Sequence, residues 1–130
     1  MATDGSAASA KALEYVLTKF QPDRSAGQGG RVPIHVSVIH VMPFSNYQEL
    51  KDVRKLLEQS VRKLIQAGFT VEAVCQSGKP AEEIMKVAAK QHAGLIVMGA
   101  QGRGAIAWFL LGSVSTRVVQ HANCSVLVVR

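Results

Sequence analysis

Acidic residues stop at Glu83, although Lys86, Lys90, Arg103, Arg117 and Arg130 follow it. Aromatic residues are scarce as well, 5% of a chain that is 48% hydrophobic, so its core must be built from aliphatic side chains. The two cysteines, Cys75 and Cys124, are too few and too far apart for a disulfide framework or a zinc site. Each reads as a small buried hydrophobe in or beside a strand. No apolar run approaches the roughly 18 residues of a membrane span, and no basic-then-apolar leader opens the chain. These absences predict a soluble, cytoplasmic protein. A length of 130 residues fits one domain, residues 1–130, with no internal repeat and no linker.

The net charge of +6 raises nucleic acid as a partner, but the cations are scattered, without a basic tract or interleaved aromatics, so nucleic acid is not expected. An acid-free stretch after Glu83 suits a polyphosphate, or else a generally basic surface that keeps the chain soluble.

What is present is organised around residues 99–115. The aliphatic run Leu95-Ile96-Val97-Met98 reads as a strand buried on both faces of a parallel sheet. Gly99, Gly102 and Gly104 follow, where positive φ and the lack of a Cβ would let a ligand approach the backbone. Gly112-Ser113 then opens a helix over Val114-Ser115-Thr116-Arg117-Val118-Val119-Gln120, with Ser113 at or near its N-cap. A strand, a glycine loop and a helix N-terminus make an anion cradle, and the reading is a phosphate site. Gly102, Gly112, Ser113, Val114 and Ser115 supply its amides and hydroxyls, and Arg103 either reaches an outer phosphate or is a solvated side chain.

Other stretches predict alternating helices and strands. Ser6 caps a helix carrying Ala10, Leu13, Val16, Leu17 and Phe20, and Pro22 ends it. Residues 34–41 form a β-branched strand. A long helix follows with Leu50, Val53, Leu56, Leu57, Val61, Leu64 and Ile65 on one face, closed by Gly68. Thr70 to Cys75 reads as a strand near an edge. Pro80 starts a helix that Gly94 ends, and Ser125 to Val129 is the last strand. The fold predicted is a doubly wound open parallel sheet of about five strands with helices on both faces. Gly78-Lys79 precedes Pro80 rather than Ser or Thr, so there is no Walker A loop. Gly102-x-Gly104 matches a dinucleotide fingerprint but has no downstream acid for a ribose. No metal-ligand pair, nucleophile elbow or Cys–His arrangement is present.

The spacing Gly99-x2-Gly102-x9-Gly112-Ser113 resembles the nucleotide motif of the universal stress protein family, in its ATP-binding branch. Ala2-Thr3-Asp4-Gly5-Ser6, His40-Val41, residues 78–84 and residues 125–129 are similar to the same family. The resemblance implies that ATP with Mg2+ is the cofactor and that Ala2, Thr3, Asp4, Val41 and Met98 complete the site, with Val41 offering backbone groups to the adenine edge. Asp4 either contacts ribose, adenine or Mg2+ (directly or through water) or caps the following helix. His40 stands next to the adenine contact, yet a histidine in an apolar strand reads as hydrogen-bonded core. The chain departs from the family at its start, where the first strand is expected to be truncated or very short. It departs again at Trp108, either a buried wedge or an exposed partner contact.

With no general base evident, the function expected is a nucleotide-binding signalling or stress-response module. The alternatives are a slow ATPase or autophosphorylating enzyme, with Ser113 or Ser115 as acceptor, and a nucleotide-free interaction protein. The uncharged edge strand 125–129 predicts an antiparallel homodimer, widened by Trp108.

Overall fold

β-branched and aliphatic stretches become strands here and amphipathic stretches become helices, in a computed structural model that describes residues 1–22, 33–42, 47–102 and 111–130. In chain order these are α1 (Ala7–Lys19), β1 (His35–Met42), α2 (Tyr47–Gln66), β2 (Thr70–Ser77), α3 (Pro80–Lys90), β3 (Leu95–Gly99), α4 (Ser113–His121) and β4 (Ser125–Val129). Ser6 is the N-cap of α1, its hydroxyl accepting the Ser9 N–H at 3.2 Å. Pro80 occupies the first turn of α3, where its missing N–H costs nothing, and Glu82 and Glu83 in the same turn oppose the positive end of the helix dipole. That helix ends differently from the sequence reading. The left-handed residue after it is His92, at φ 51°, and Gly94 takes no part in the stop.

β1 pairs in parallel with β2, from His35 opposite Thr70 to Met42 opposite Ser77. β3 pairs in parallel with β4, from Leu95 opposite Ser125 to Gly99 opposite Val129. Among the described residues no strand of one ladder is hydrogen-bonded to a strand of the other. Residues 1–3 lie between them: Ala2 N–H donates to Val97 O, Thr3 N–H donates to Ile39 O, and Met1 O accepts Ile39 N–H, each at 2.9 Å. The central strand is therefore a stub with a single bridge, Ala2 to Ile39, and the sheet runs β2, β1, residues 1–3, β3, β4. This is the strand order of a doubly wound fold, with the reversal at the stub.

Each face of the sheet carries its own core, because side chains alternate along every strand. Val38, Met42 and Val97 pack with Leu13 and Val16 of α1 and with Val53, Leu57 and Leu64 of α2. Ile39, Ile96 and Met98 pack on the other face with Ile84 of α3 and Val118 of α4. Two side chains depart from their expected places. Cys75 is exposed, since β2 is an edge strand with few neighbours on its outer side, and Cys124 is only half-buried. Ile65, expected on the apolar face of α2, is 56% exposed because it falls beyond the stripe that Val53, Leu57 and Leu64 define. Trp108 and Leu50 lie outside the residues whose side chains the structure describes. Among the described residues no helix is long and apolar enough to cross a membrane.

The α-amino group of Met1 donates to Ser37 O at 2.6 Å, and burial pushes its pKa down from 8.0 to about 6. The unfolded chain holds the proton up to about pH 8, whereas the folded chain releases it near pH 6. Between those values the unfolded state binds more protons, so stability must rise with pH by up to about 1.4 kcal/mol per unit, and level off outside the window. Urea melts at pH 6, 7 and 8 are expected to show this slope in a chain with a free Met1 amine. An N-terminally acetylated chain has no such group, and its melts are expected to lose that part of the slope.

Candidate functional site

The carboxyl ends of the stub, β1 and β3 converge on one face edge of the sheet, and the N-terminus of α4 points at the same place. Between them is a cleft of about 550 Å3. It lies where the strand order reverses, the position at which open α/β sheets bind ligands. Of the residues singled out from the sequence, Ala2, Thr3, Asp4, Val41, Met98, Gly99, Gly102, Gly112, Ser113, Val114 and Ser115 all line it. Arg103 and Gly104 lie outside the described residues.

The glycines are there for reasons other than conformational freedom. Positive φ among described glycines occurs at Gly5, Gly68 and Gly78, not at Gly99 or Gly102. A Cβ on Gly99 would stand 2.6 Å from the backbone carbon of Ala8 and 2.7 Å from the Ser9 nitrogen. Gly99 therefore lets α1 lie directly against the end of β3. A Cβ on Gly102 would stand 2.9 Å from Asp4 Oδ2, so this glycine leaves room for the carboxylate. Asp4 Oδ1 accepts the Ser6 N–H at 2.9 Å, which holds the side chain across the turn into α1.

α4 begins without a side-chain cap. Its N-cap is Gly112, at φ −65°, and Ser113 is already helical, so the helix begins one position earlier than the sequence suggested. The first described backbone bond inside this turn runs from Thr116 N–H to Gly112 O at 2.9 Å. The N–H groups of Ser113, Val114 and Ser115 are first-turn donors of the kind a helix cannot satisfy internally. The two serines differ. Ser113 is exposed, whereas Ser115 is 2% exposed and its hydroxyl lies 2.8 Å from Ala100 O and 2.9 Å from Gly112 O. Its single proton is held between two carbonyls, so Ser115 Oγ pins α4 to the end of β3 and can offer a ligand only its lone pair.

His40 is buried at the cleft floor, with Nδ1 2.9 Å from Thr3 O. A carbonyl only accepts, so Nδ1 carries the proton and ties β1 to the stub. Thr3 Oγ1 donates to Ser9 Oγ at 3.3 Å and Ser9 Oγ donates to Ser6 O at 2.9 Å, continuing the chain of polar contacts into α1. One functional candidate escaped the sequence reading: Asp52 of α2 also lines the cleft, so Asp4 is not its sole acid. The only cue was its place next to Val53, a core residue at the start of the buried stripe. No group of three potential metal ligands occurs among the described residues.

An α/β sheet with its cleft at the switch point and an open helix N-terminus belongs to the class of Rossmann-like doubly wound folds. The family model for the universal stress protein family matches residues 1–130, and the chain belongs to that family. A relative, universal stress protein YxiE of Bacillus subtilis, is 32% identical over 142 aligned residues, covering 100% of this chain and 96% of that protein. The solved structure of the hypothetical protein MJ0577 superposes with a TM-score of 0.76 at 27% identity, over 98% of this chain and 91% of the other. A universal stress protein from Archaeoglobus fulgidus in complex with dAMP superposes with a TM-score of 0.72 at 21% identity, over 99% and 94% of the two chains.

Gly99→Ala is expected to destabilise the fold by about 1–3 kcal/mol, the usual range for overpacking, because the atoms it meets are backbone. Urea unfolding measures the loss. A change below about 0.5 kcal/mol would mean that α1 can move away from β3 at no cost.

Proposed function

We propose that the cleft binds an adenine nucleotide, ATP with Mg2+, and that the protein acts as a nucleotide-dependent signalling or stress-response module. The observation that carries this reading is the uncapped N-terminus of α4 at the switch point of the sheet, with three first-turn amides beside Gly112. The dAMP held by the Archaeoglobus fulgidus relative supports the choice of base. Adenine and ribose would lie between the Asp4 and Val41 segments, and the phosphates against residues 112–115. The donor set suits Mg2+ on phosphate oxygens: the cleft offers the carboxylates of Asp4 and Asp52, and Mg2+ is commonly held by one or two carboxylates together with substrate phosphates and water. If the protein transfers phosphate to itself, the exposed hydroxyl of Ser113 is the acceptor the geometry favours over the engaged hydroxyl of Ser115.

A calorimetric series tests the reading. Gly102→Val is expected to abolish ATP binding while the circular dichroism spectrum is retained, because the group it displaces is the Asp4 carboxylate and not backbone. Asp4→Ala is expected to weaken binding more in Mg2+ than in chelator. Undiminished affinity in both variants would remove the assignment.

We also propose that the protein is a homodimer through residues 125–129. Among the described residues β4 pairs with β3 on one side only. Ala100 N–H bonds to Val129 O, so alternation turns the backbone groups of Val126 and Val128 to the outer edge. Val128→Pro removes one outward N–H and leaves the β3 ladder intact, a substitution edge strands tolerate. Light scattering is expected to give a dimer for the wild type and a monomer for this variant. A variant that stays dimeric would place the interface elsewhere.

A further inference from the structure

One ring nitrogen of His40 has no partner among the described residues. Nδ1 donates to Thr3 O at 2.9 Å, which leaves Nε2 of the neutral ring as a bare lone pair. The residue is only 8% exposed, it lines the cleft, and among the described residues its side chain makes no other hydrogen bond. No fully buried side-chain polar atom among the described residues is left without a partner, so Nε2 is not sealed in the core. It opens into the cleft, while Thr3 O holds the other side of the ring. A ligand that covers Nε2 without donating to it leaves a desolvated acceptor unpaired, which costs binding.

The surroundings restrict what can donate. Ile39, Met42, Val53 and Met98 line the same cleft with side chains that carry no donor, and an ionised Asp52 only accepts. Apolar walls with one oriented acceptor suit a heteroaromatic base better than a sugar or a phosphate. Phosphate oxygens and the ring nitrogens of adenine accept, as Nε2 does. The donors of an adenine nucleotide are its exocyclic amine and its ribose hydroxyls, and only the amine belongs to the flat base. Guanine and hypoxanthine present a carbonyl oxygen at that ring position, which would set one lone pair against another.

We propose that His40 is a specificity-determining residue of the cleft, its Nε2 accepting a hydrogen bond from the exocyclic amine of adenine. His40 in this role presupposes the nucleotide reading above and adds to it a side chain that selects the base. Thr3 O sets the tautomer: with the proton on Nδ1, Nε2 accepts an amine, whereas the opposite tautomer would suit a carbonyl base. The hydrogen bond that ties β1 to the stub therefore also chooses the base.

Calorimetry compares ATP with purine riboside triphosphate, which lacks the exocyclic amine, on the wild type and on His40→Asn. Asn keeps a side-chain N–H for Thr3 O but has no atom at the Nε2 position. The wild type is expected to prefer ATP. The variant is expected to lose about tenfold of that preference, through weaker ATP binding with purine riboside triphosphate unchanged. Equal losses for both ligands overturn the assignment: if dideoxy ATP shows the same loss, His40 only supports the fold, and if it shows none, Nε2 meets a ribose hydroxyl. Should His40→Asn not fold, nitrogen NMR of the wild type decides. ATP is expected to move the His40 Nε2 resonance upfield, as a lone pair does on accepting a hydrogen bond, and purine riboside triphosphate to leave it in place. Equal shifts with both, or a proton on Nε2 in the complex, overturn the assignment. A wild type that binds neither nucleotide removes the nucleotide reading itself, and this contact with it.

Discussion

The backbone hydrogen bonds of residues 1–3 join two ladders that, among the described residues, have no other hydrogen bond to each other. Ala2 reaches Val97 on one side, and Met1 and Thr3 engage Ile39 on the other. Each such bond contributes only about 1 kcal/mol net, so they do not hold the domain by themselves. Their effect is geometric. They fix the separation of β1 and β3, and with it the width of the cleft beyond the end of the stub. Ala2 is buried in the core shared by α3 and α4, while Met1 packs against the core shared by α1 and α2. A short segment thus links both hydrophobic layers as well as both half-sheets.

The same joint sets the chemistry of the cleft. Thr3 O holds Nδ1 of His40, and the next residue, Asp4, turns the chain into α1 through Ser6. The end of β3 is fixed from the other side by Ser115, whose hydroxyl bridges Ala100 O and Gly112 O. Neither pin is at an element's centre. Both sit at the junction of a strand end with a helix start, where backbone groups run out of ladder partners and side chains must supply them.

Most of the elements were legible because their signals are local. Ser6 followed by apolar residues at helical spacing marks α1, Pro80 marks α3, and the aliphatic runs at 95–98 and 125–129 mark β3 and β4. Most of the residues that line the cleft were legible because a strand–glycine–helix junction puts them at one end of the sheet. What could not be read was packing between elements. Gly99 looked like a residue cleared for a ligand, but the atoms that exclude a Cβ belong to Ala8 and Ser9, some ninety positions earlier in the chain. Asp52 precedes Val53 of the apolar stripe, and only the placement of α2 over the end of β1 brings it to the cleft. The same limit explains Cys75 and Ile65, whose neighbours depend on where the sheet and the apolar stripe stop.

Charge decides what kind of anion such a cleft can take. The chain carries +6 overall, yet among the described residues lining the cleft there is no lysine or arginine, and there are two aspartates. Attraction for phosphate must then come from backbone dipoles: the first-turn amides of α4 and the fractional positive charge of its N-terminus, about half an elementary charge. That suffices for one phosphate group set directly on the helix. A longer phosphate chain would extend its charge toward Asp4, where repulsion grows unless a divalent cation stands between the two. On the proposed reading, Mg2+ is therefore part of the recognition of ATP by these residues, while a monophosphate can bind without it.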